Sequence, residues 1–293
     1  MFIATLIAKE RLTSGDISVA EGALRSAWVE PQGRSWIEED IACDLLFPTL
    51  PKAAREALEG LIPGCDVIVQ AEAGRRKKLL VADMDSTMIT VECIDELADY
   101  AGLKEEVSRV TDRAMRGELD FEAALTERVA LLKDLDESVI GRCLEERVGI
   151  TPGAIPLVRT MKREGARSVL VSGGFTAFAN EVAETIGFDR AISNELQVEN
   201  GRITGEVGRP IVGAYAKRDA LFDAAALAGV TVEEALVVGD GANDIPMIEA
   251  AGLGVAYHAK PATAAAAAAR IEHNDLGALL YAQGYARREW EEA

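Results

Sequence analysis

The chain has 293 residues, 49% of them apolar, enough to bury one large core or two ordinary ones. Its formal net charge of -18 argues against a nucleic-acid backbone or an anionic membrane as the main partner, since both repel an acidic surface. The four cysteines, Cys43, Cys65, Cys93 and Cys143, are scattered without a Cys-x-x-Cys pair, so they read as small buried residues in a reducing compartment rather than as a disulfide or metal framework.

Residues 1 to about 75 read as a small α/β domain. Phe2 to Ala8 is a strand, and it carries neither a basic leader nor a small-residue cleavage pattern. Ile17 to Trp28 has helical spacing, Ile41 to Phe47 is a second strand, Pro51 to Ile62 a helix opened by proline, and Asp66 to Gln70 a third strand. This alternation resembles the ACT-like regulatory modules of amino-acid enzymes. The other reading is a structural or dimerising appendage, which makes a homodimer the expected assembly. Gly74 to Lys78 is a charged linker, expected to be a solvated joint. No apolar run approaches bilayer length, and a soluble cytoplasmic protein is expected.

Leu79 to Ala82 is a short apolar run, the mark of a strand buried on both faces of a parallel sheet. It leads into Asp83-Met84-Asp85-Ser86-Thr87. Side chains two apart on extended backbone point the same way, so Asp83 and Asp85 face one pocket. Ligands of open α/β sheets bind at that strand edge, and two acids there suit a cation, with the following hydroxyls and amides suited to an anion. The competing reading is an acidic turn. Helical patterns follow over 92–102, 105–115, 121–133 and 137–147, an all-helical insertion at about 89–150 placed to act as a lid. Asp120 is the expected N-cap of the third. Arg128 lies on that helix's apolar stripe, where a guanidinium must find an acid or thread its head out to solvent.

Ala154 to Glu164 is a helix and Ser168 to Val171 a strand, followed by Ser172-Gly173-Gly174, a turn that lets backbone amides approach a phosphate closely. Ala191 to Asn194 and Arg202 to Val212 read as strands around a turn at Asn200-Gly201. Ala216 to Ala228 is a helix with Lys217 near its start, where a cation opposes the dipole and needs a local acid. Ala235 to Val238 is another buried strand, ending in Gly239-Asp240-Gly241-Ala242-Asn243-Asp244. With Asp83 and Asp85 this makes an oxygen-rich cation site suited to Mg2+. Gly254 to Tyr257 is a further strand, Pro261 to Arg270 an alanine-rich helix, and a last helix starts at Leu276 before a frayed charged end. His258 and His273 read as structural.

Asp-x-Asp-x-Thr after an apolar strand, the Ser172 turn, Lys217 and the Gly239–Asp244 hexad, in this order, resemble the four motifs of the haloacid dehalogenase superfamily of phosphohydrolases. Residues 79 to about 275 are most similar to its phosphoserine phosphatase branch. The resemblance implies an α/β fold with a Rossmann-like parallel sheet over 76–293, a helical cap inserted after the first strand, and the small N-terminal α/β domain added to it. It implies Mg2+-dependent hydrolysis of O-phosphoserine, the last step of serine biosynthesis, with Asp83 as nucleophile and Asp85 as acid and base. Asp83, the Asp85 carbonyl and Asp240 would hold the metal, and Asp244 would orient the site from behind. Ser172, Gly173, Lys217 and Asn243 would bind phosphate, Glu92 the substrate ammonium and Arg128 its carboxylate, under Met115 and Phe121. A phosphotransferase on the same frame and a non-catalytic phosphoserine sensor are the rival classes.

Overall fold

The structure, a computed structural model, describes residues 1–115 and 118–292, the side chains of Asp112 and Met115 excepted. The N-terminal unit runs β1 (Phe2–Ala8), α1 (Ser14–Ser26), β2 (Gly33–Glu38), β3 (Ala42–Phe47), α2 (Pro51–Leu58) and β4 (Cys65–Ala71). Its four strands form an antiparallel sheet in the order β2-β3-β1-β4, the topology of the βαββαβ motif. Strand alternation divides its two faces. Leu6, Cys43, Phe47 and Val67 pack with Leu24 and Leu58 of the helices, whereas Ile7, Ala42 and Ile68 face the rest of the protein. The sequence pattern misses β2, an edge strand whose first four residues are exposed and so carry no apolar alternation. It starts α1 three residues late, because the start signal is polar: Thr13 and Asp16 close a capping box.

The expectation of a solvated joint at 74–78 holds for the exposed Gly74, Arg76 and Lys78 but fails at Arg75. Arg75 reaches back to Asp44 (2.5 and 3.1 Å) and forward to the Ala282 carbonyl (3.0 Å), and only 18% of its side chain is exposed. Arg76 lies over the Tyr285 ring, and Lys78 pairs with Glu234. A run of cations is solvated only when no acids or carbonyls face it, and here both flanking units supply them.

β5 (Leu79–Ala82) opens the second unit. The cap follows as α3 (Cys93–Tyr100), α4 (Lys104–Met115), α5 (Phe121–Leu131) and α6 (Ser138–Arg147). Then come α7 (Ala154–Arg163), β6 (Arg167–Phe175), α8 (Thr176–Ile186), β7 (Arg190–Asn194), the hairpin β8 (Leu196–Glu199) and β9 (Arg202–Val207), α9 (Ala214–Ala228), β10 (Ala235–Gly239), α10 (Ile245–Ala250), β11 (Leu253–Tyr257), α11 (Pro261–Ala266), β12 (Ala269–Ile271) and α12 (Ala278–Ala282). Six parallel strands lie in the order β12-β11-β10-β5-β6-β7. Leu79 and Val81 of β5 join the core under α9 and α10, while Leu80 and Ala82 join the core under α7 and α8. A strand buried on both faces is thus confirmed, and the chain order reverses at β5, the switch point where such sheets bind ligands.

Both ends of the cap are pinned together by the Ile89–Ile150 bridge and the bond from Thr90 N to Gly149 O (2.9 Å). Asp120 caps α5 by accepting from Ala123 N, as expected. The β8–β9 hairpin props the cap: Ile203 exchanges backbone bonds with Asp134 and Leu135, and Arg202 donates to the Asp134 carbonyl. Two further expectations fail. The alanine run is not one helix, because Ala269 and Arg270 leave α11 to pair with β11. The charged end is not frayed: Trp290 is buried, with its ring nitrogen donating to Tyr285 O, and Glu291 N donates to Thr160 Oγ1.

The Arg75–Asp44 pair is enclosed, so removing one partner strands a charge. Asp44→Ala is expected to lower unfolding free energy in urea by about 3 kcal/mol, and Asp44→Leu combined with Arg75→Leu to recover part of that loss. A double variant no better than the single one would assign the cost to packing instead.

Candidate active site

Asp83 and Asp85 keep the alternation of a strand although β5 ends at Ala82, because both have extended backbone (ψ 161° and 135°). Ser86 then turns into the left-handed region (φ 56°) and Met84 packs away into the core. Both carboxylates line a cavity of about 770 Å³ between the sheet edge and the cap. Glu92, Phe121, Arg128, Gly173, Asp240 and Asn243, all expected from the sequence, line it too. Ser172, Lys217 and Asp244 lie behind that surface, fully buried. The side chain of Met115 lies outside the described residues.

Lys217 is the centre of the charge arrangement. Its Nζ donates to Asp83 Oδ1 (2.6 Å) and to Asp244 Oδ1 (2.7 Å). Burial works against the ammonium, but the two carboxylates more than offset this and hold its pKa above the ordinary lysine value. Asp244 Oδ2 accepts from the amides of Asp240 and Gly241 (3.2 and 3.0 Å), so this residue is committed on both oxygens. Asp83 Oδ1 also accepts from Met84 N (2.8 Å), which leaves Oδ2 turned to the cavity without a hydrogen bond among the described residues.

Burial, then Asp244, pushes Asp83 well above the carboxylate range, and the same two causes push Asp240 up to about 7. One ammonium does not satisfy three acids. The donor atoms of Asp83, Asp240 and Asp244 lie within 4.8 Å of one another, an all-oxygen set that fits a hard divalent cation. Thr87 Oγ1 donates to Asp240 Oδ1 (3.1 Å) and fixes its orientation.

Asp85 has a different environment. Cys93 N (2.9 Å) and Ser172 Oγ (3.2 Å) donate to its two oxygens, and burial followed by the nearby Glu92 pushes its pKa up to about 6. A pKa of about 6 lets it exchange a proton near neutrality, while the Lys217 ammonium fixes the Asp83 carboxylate beside it. Gly174 is required here: a Cβ would lie 2.6 Å from Asp85 Oδ2. At Gly173 a Cβ would lie 2.9 Å from the Phe121 ring, which closes the cap over the turn.

In the cap, Ser86 Oγ donates to Glu92 (2.7 Å). Arg128 makes one hydrogen bond, from Nε to the Ala124 carbonyl (3.3 Å), and among the described residues no ion pair. Burial lowers its pKa, opposed by Asp95 and Glu92. The expectation that it must find an acid is therefore met only at a distance. Asp95, Lys260 and Thr263 also line the cavity and were not read from the sequence. Asp95 lies one turn beyond Glu92, which the family resemblance supplied, and Lys260 and Thr263 follow the end of β11 as Asp240 follows that of β10, so the strand-end rule was sufficient to find the last two.

A family pattern for haloacid dehalogenase-like hydrolases matches residues 80–249, and the chain belongs to this family. Within it, the chain is 46% identical over 208 residues to a phosphoserine phosphatase of Albidiferax ferrireducens, covering 69% of this chain and 88% of that one. It is 44% identical over 247 residues to a phosphoserine phosphatase of Streptomyces coelicolor, covering 84% of this chain but spanning 60% of the relative's length. The crystal structure of an unliganded probable phosphoserine phosphatase from Vibrio cholerae superposes with a TM-score of 0.80 at 33% identity, covering 98% of this chain and 88% of that one.

Lys217→Met leaves Asp83 and Asp244 facing each other without their cation. At neutral pH and with a chelator present, urea unfolding should show a loss of about 3–5 kcal/mol. A loss below about 1 kcal/mol, the size of a surface pair, would remove Lys217 from the structural account.

Proposed function

We propose that this chain is a cytoplasmic, Mg2+-dependent phosphoserine phosphatase, releasing serine and inorganic phosphate from O-phosphoserine through an aspartyl-phosphate on Asp83, as the last step of serine biosynthesis. The observation that carries the substrate assignment is Arg128: a cation without an ion pair among the described residues, on the cap wall of a cavity whose floor is Asp83. A guanidinium fork left open in a buried site suits a carboxylate. Its placement supports a phosphate ester that bears a carboxylate at its other end, and the named relatives support the same substrate.

Asp83 Oδ2 attacks phosphorus while Lys217 holds Oδ1, so the lysine fixes the carboxylate without blocking its free oxygen. Asp85, protonated up to about pH 6 at rest, gives its proton to the departing serine oxygen and then takes one from the water that hydrolyses the aspartyl-phosphate. Ser172, the Gly173 amide and Asn243 receive phosphoryl oxygens, and Glu92 receives the ammonium. Asp83, the Asp85 carbonyl and Asp240 would hold Mg2+, with Asp244 orienting them through its bonds to Lys217 and to the Asp240 and Gly241 amides. The ion supplies charge neutralisation between two oxyanions.

A phosphate-release screen over phosphorylated small molecules, with Mg2+ and with chelator, tests the assignment. Phosphoserine should lead the panel, activity should vanish with chelator, and Asp83→Asn should fold normally without turning over. Wild-type turnover by a folded Asp83→Asn would refute the nucleophile.

Arg128→Ala should lower kcat/KM for phosphoserine at least ~10-fold, the loss of a charge-assisted bond worth about 1.5–3 kcal/mol. Phosphoethanolamine, without a carboxylate, should be affected little. Parallel losses on both esters with a lowered melting temperature would leave Arg128 a purely structural residue.

A further inference from the structure

The acids of the site come from the ends of β5 and β10, but β11 ends at the same rim. After it, His258 adopts a left-handed conformation (φ 42°) and turns the chain. The Lys260 amide then donates to the Asp240 carbonyl (3.3 Å), and α11 packs against the Ala242–Asp244 turn. Lys260 and Thr263 thereby line the cavity at its Asp240 end rather than at the Arg128 end.

Charge makes this placement informative. Among the described lining residues, the five carboxylates Asp83, Asp85, Glu92, Asp95 and Asp240 face only two cations, Arg128 and Lys260. Lys217 is already shared between Asp83 and Asp244 behind the surface. Arg128 belongs to the cap. At the floor, where a phosphate dianion must enter an acidic cleft, Lys260 is the exposed cation, and among the described residues it has no ion pair. Thr263 gives a second, independent sign. It is fully buried and its Oγ1 has no hydrogen-bond partner. Its neighbours Ala262 and Ala264 to Ala269 are all alanine, so a small apolar residue would satisfy the packing. A buried hydroxyl left unpaired is costly unless its partner arrives with the ligand.

We propose that the segment from Lys260 to Thr263 is a third wall of the phosphate subsite, in which Lys260 draws the phosphate dianion in and the Thr263 hydroxyl donates to a phosphoryl oxygen. The proposal rests on the phosphatase reading above and adds two phosphate-binding residues to it.

The test measures kcat/KM on phosphoserine and phosphoethanolamine from low to high salt, and binding of inorganic phosphate by calorimetry, for the wild type, Lys260→Gln, Lys260→Arg and Thr263→Val. Lys260→Gln should lower kcat/KM about tenfold on both esters, flatten the salt dependence and weaken phosphate binding, while Lys260→Arg retains all three. Thr263→Val should lower kcat/KM on both esters with the melting temperature unchanged or raised, because it removes an orphan hydroxyl. Wild-type kinetics and salt slope in Lys260→Gln overturn the proposal, as does a loss confined to phosphoserine, which would move Lys260 to the carboxylate end. A lowered melting temperature with unchanged kcat/KM in Thr263→Val makes that residue structural. If the wild type releases no phosphate from either ester, the parent reading fails, and equal phosphate affinity in the wild type and Lys260→Gln then overturns this one separately.

Discussion

A buried ammonium between two buried carboxylates is the constraint on which the rest of this protein depends. Lys217 reaches Asp83 from the first residue after β5 and Asp244 from the turn after β10, and none of the three is more than marginally exposed. Such a triad is stable only with its geometry fixed on every side. The fold provides that by running β5 beside β10 in parallel, so both acids emerge at one sheet edge, and by aiming the start of α9 at the gap between them. The arrangement also divides the labour among the acids. Asp244 engages both oxygens, with Lys217 and with two amides, Asp83 engages one oxygen and keeps the other, and Asp240 is left short of positive charge.

The cap inverts this logic. At the sheet edge Lys217 holds Asp83 and Asp244 inside the protein, whereas Arg128 and Asp95 line the cavity without ion pairs among the described residues. An open guanidinium in a half-buried wall leaves its charge-assisted hydrogen bonds available to an anion entering the cavity. The scaffold around it is correspondingly firm: the Ile89–Ile150 bridge holds both entry strands of the cap, and the β8–β9 hairpin fixes the far end of α5.

Glu92 came from the family resemblance, but the sheet, the cap helices, the clustering of Asp83, Asp85 and Asp240, and the place of Arg128 on an apolar stripe were legible in the sequence because each rests on a local rule. These rules are alternation on extended backbone, helical spacing, and acids at the carboxyl end of a buried strand. What stayed hidden was set by distant partners. Nothing near Arg75 announces that Asp44 and the Ala282 carbonyl will enclose it. Strand β2 is recruited by pairing with β3, not by its own pattern. The alanine run reads as helix because alanine has the highest helix propensity, yet Ala269 is captured by the edge of β11, a tertiary choice that outweighs a preference of under about 1 kcal/mol per residue. The end of the chain reads as frayed because it is charged, while Trp290 within it buries an indole.

The N-terminal sheet bears on the site through these same distant contacts. One face is an ordinary apolar core with α1 and α2, but the other presents Thr5, Asp44 and Asp66 to the second unit. Asp66 accepts from the backbone amides of Glu272, His273 and Asn274 and from the Asn274 side chain, fixing the turn after β12. From α2, Arg55 donates to the Ala267 carbonyl and Glu59 pairs with Arg270. These bonds hold β12 and the end of α11, and α11 begins with the Lys260–Thr263 segment at the cavity floor. The small domain is thus bonded to the chain that carries the floor and makes none of these contacts to the cap.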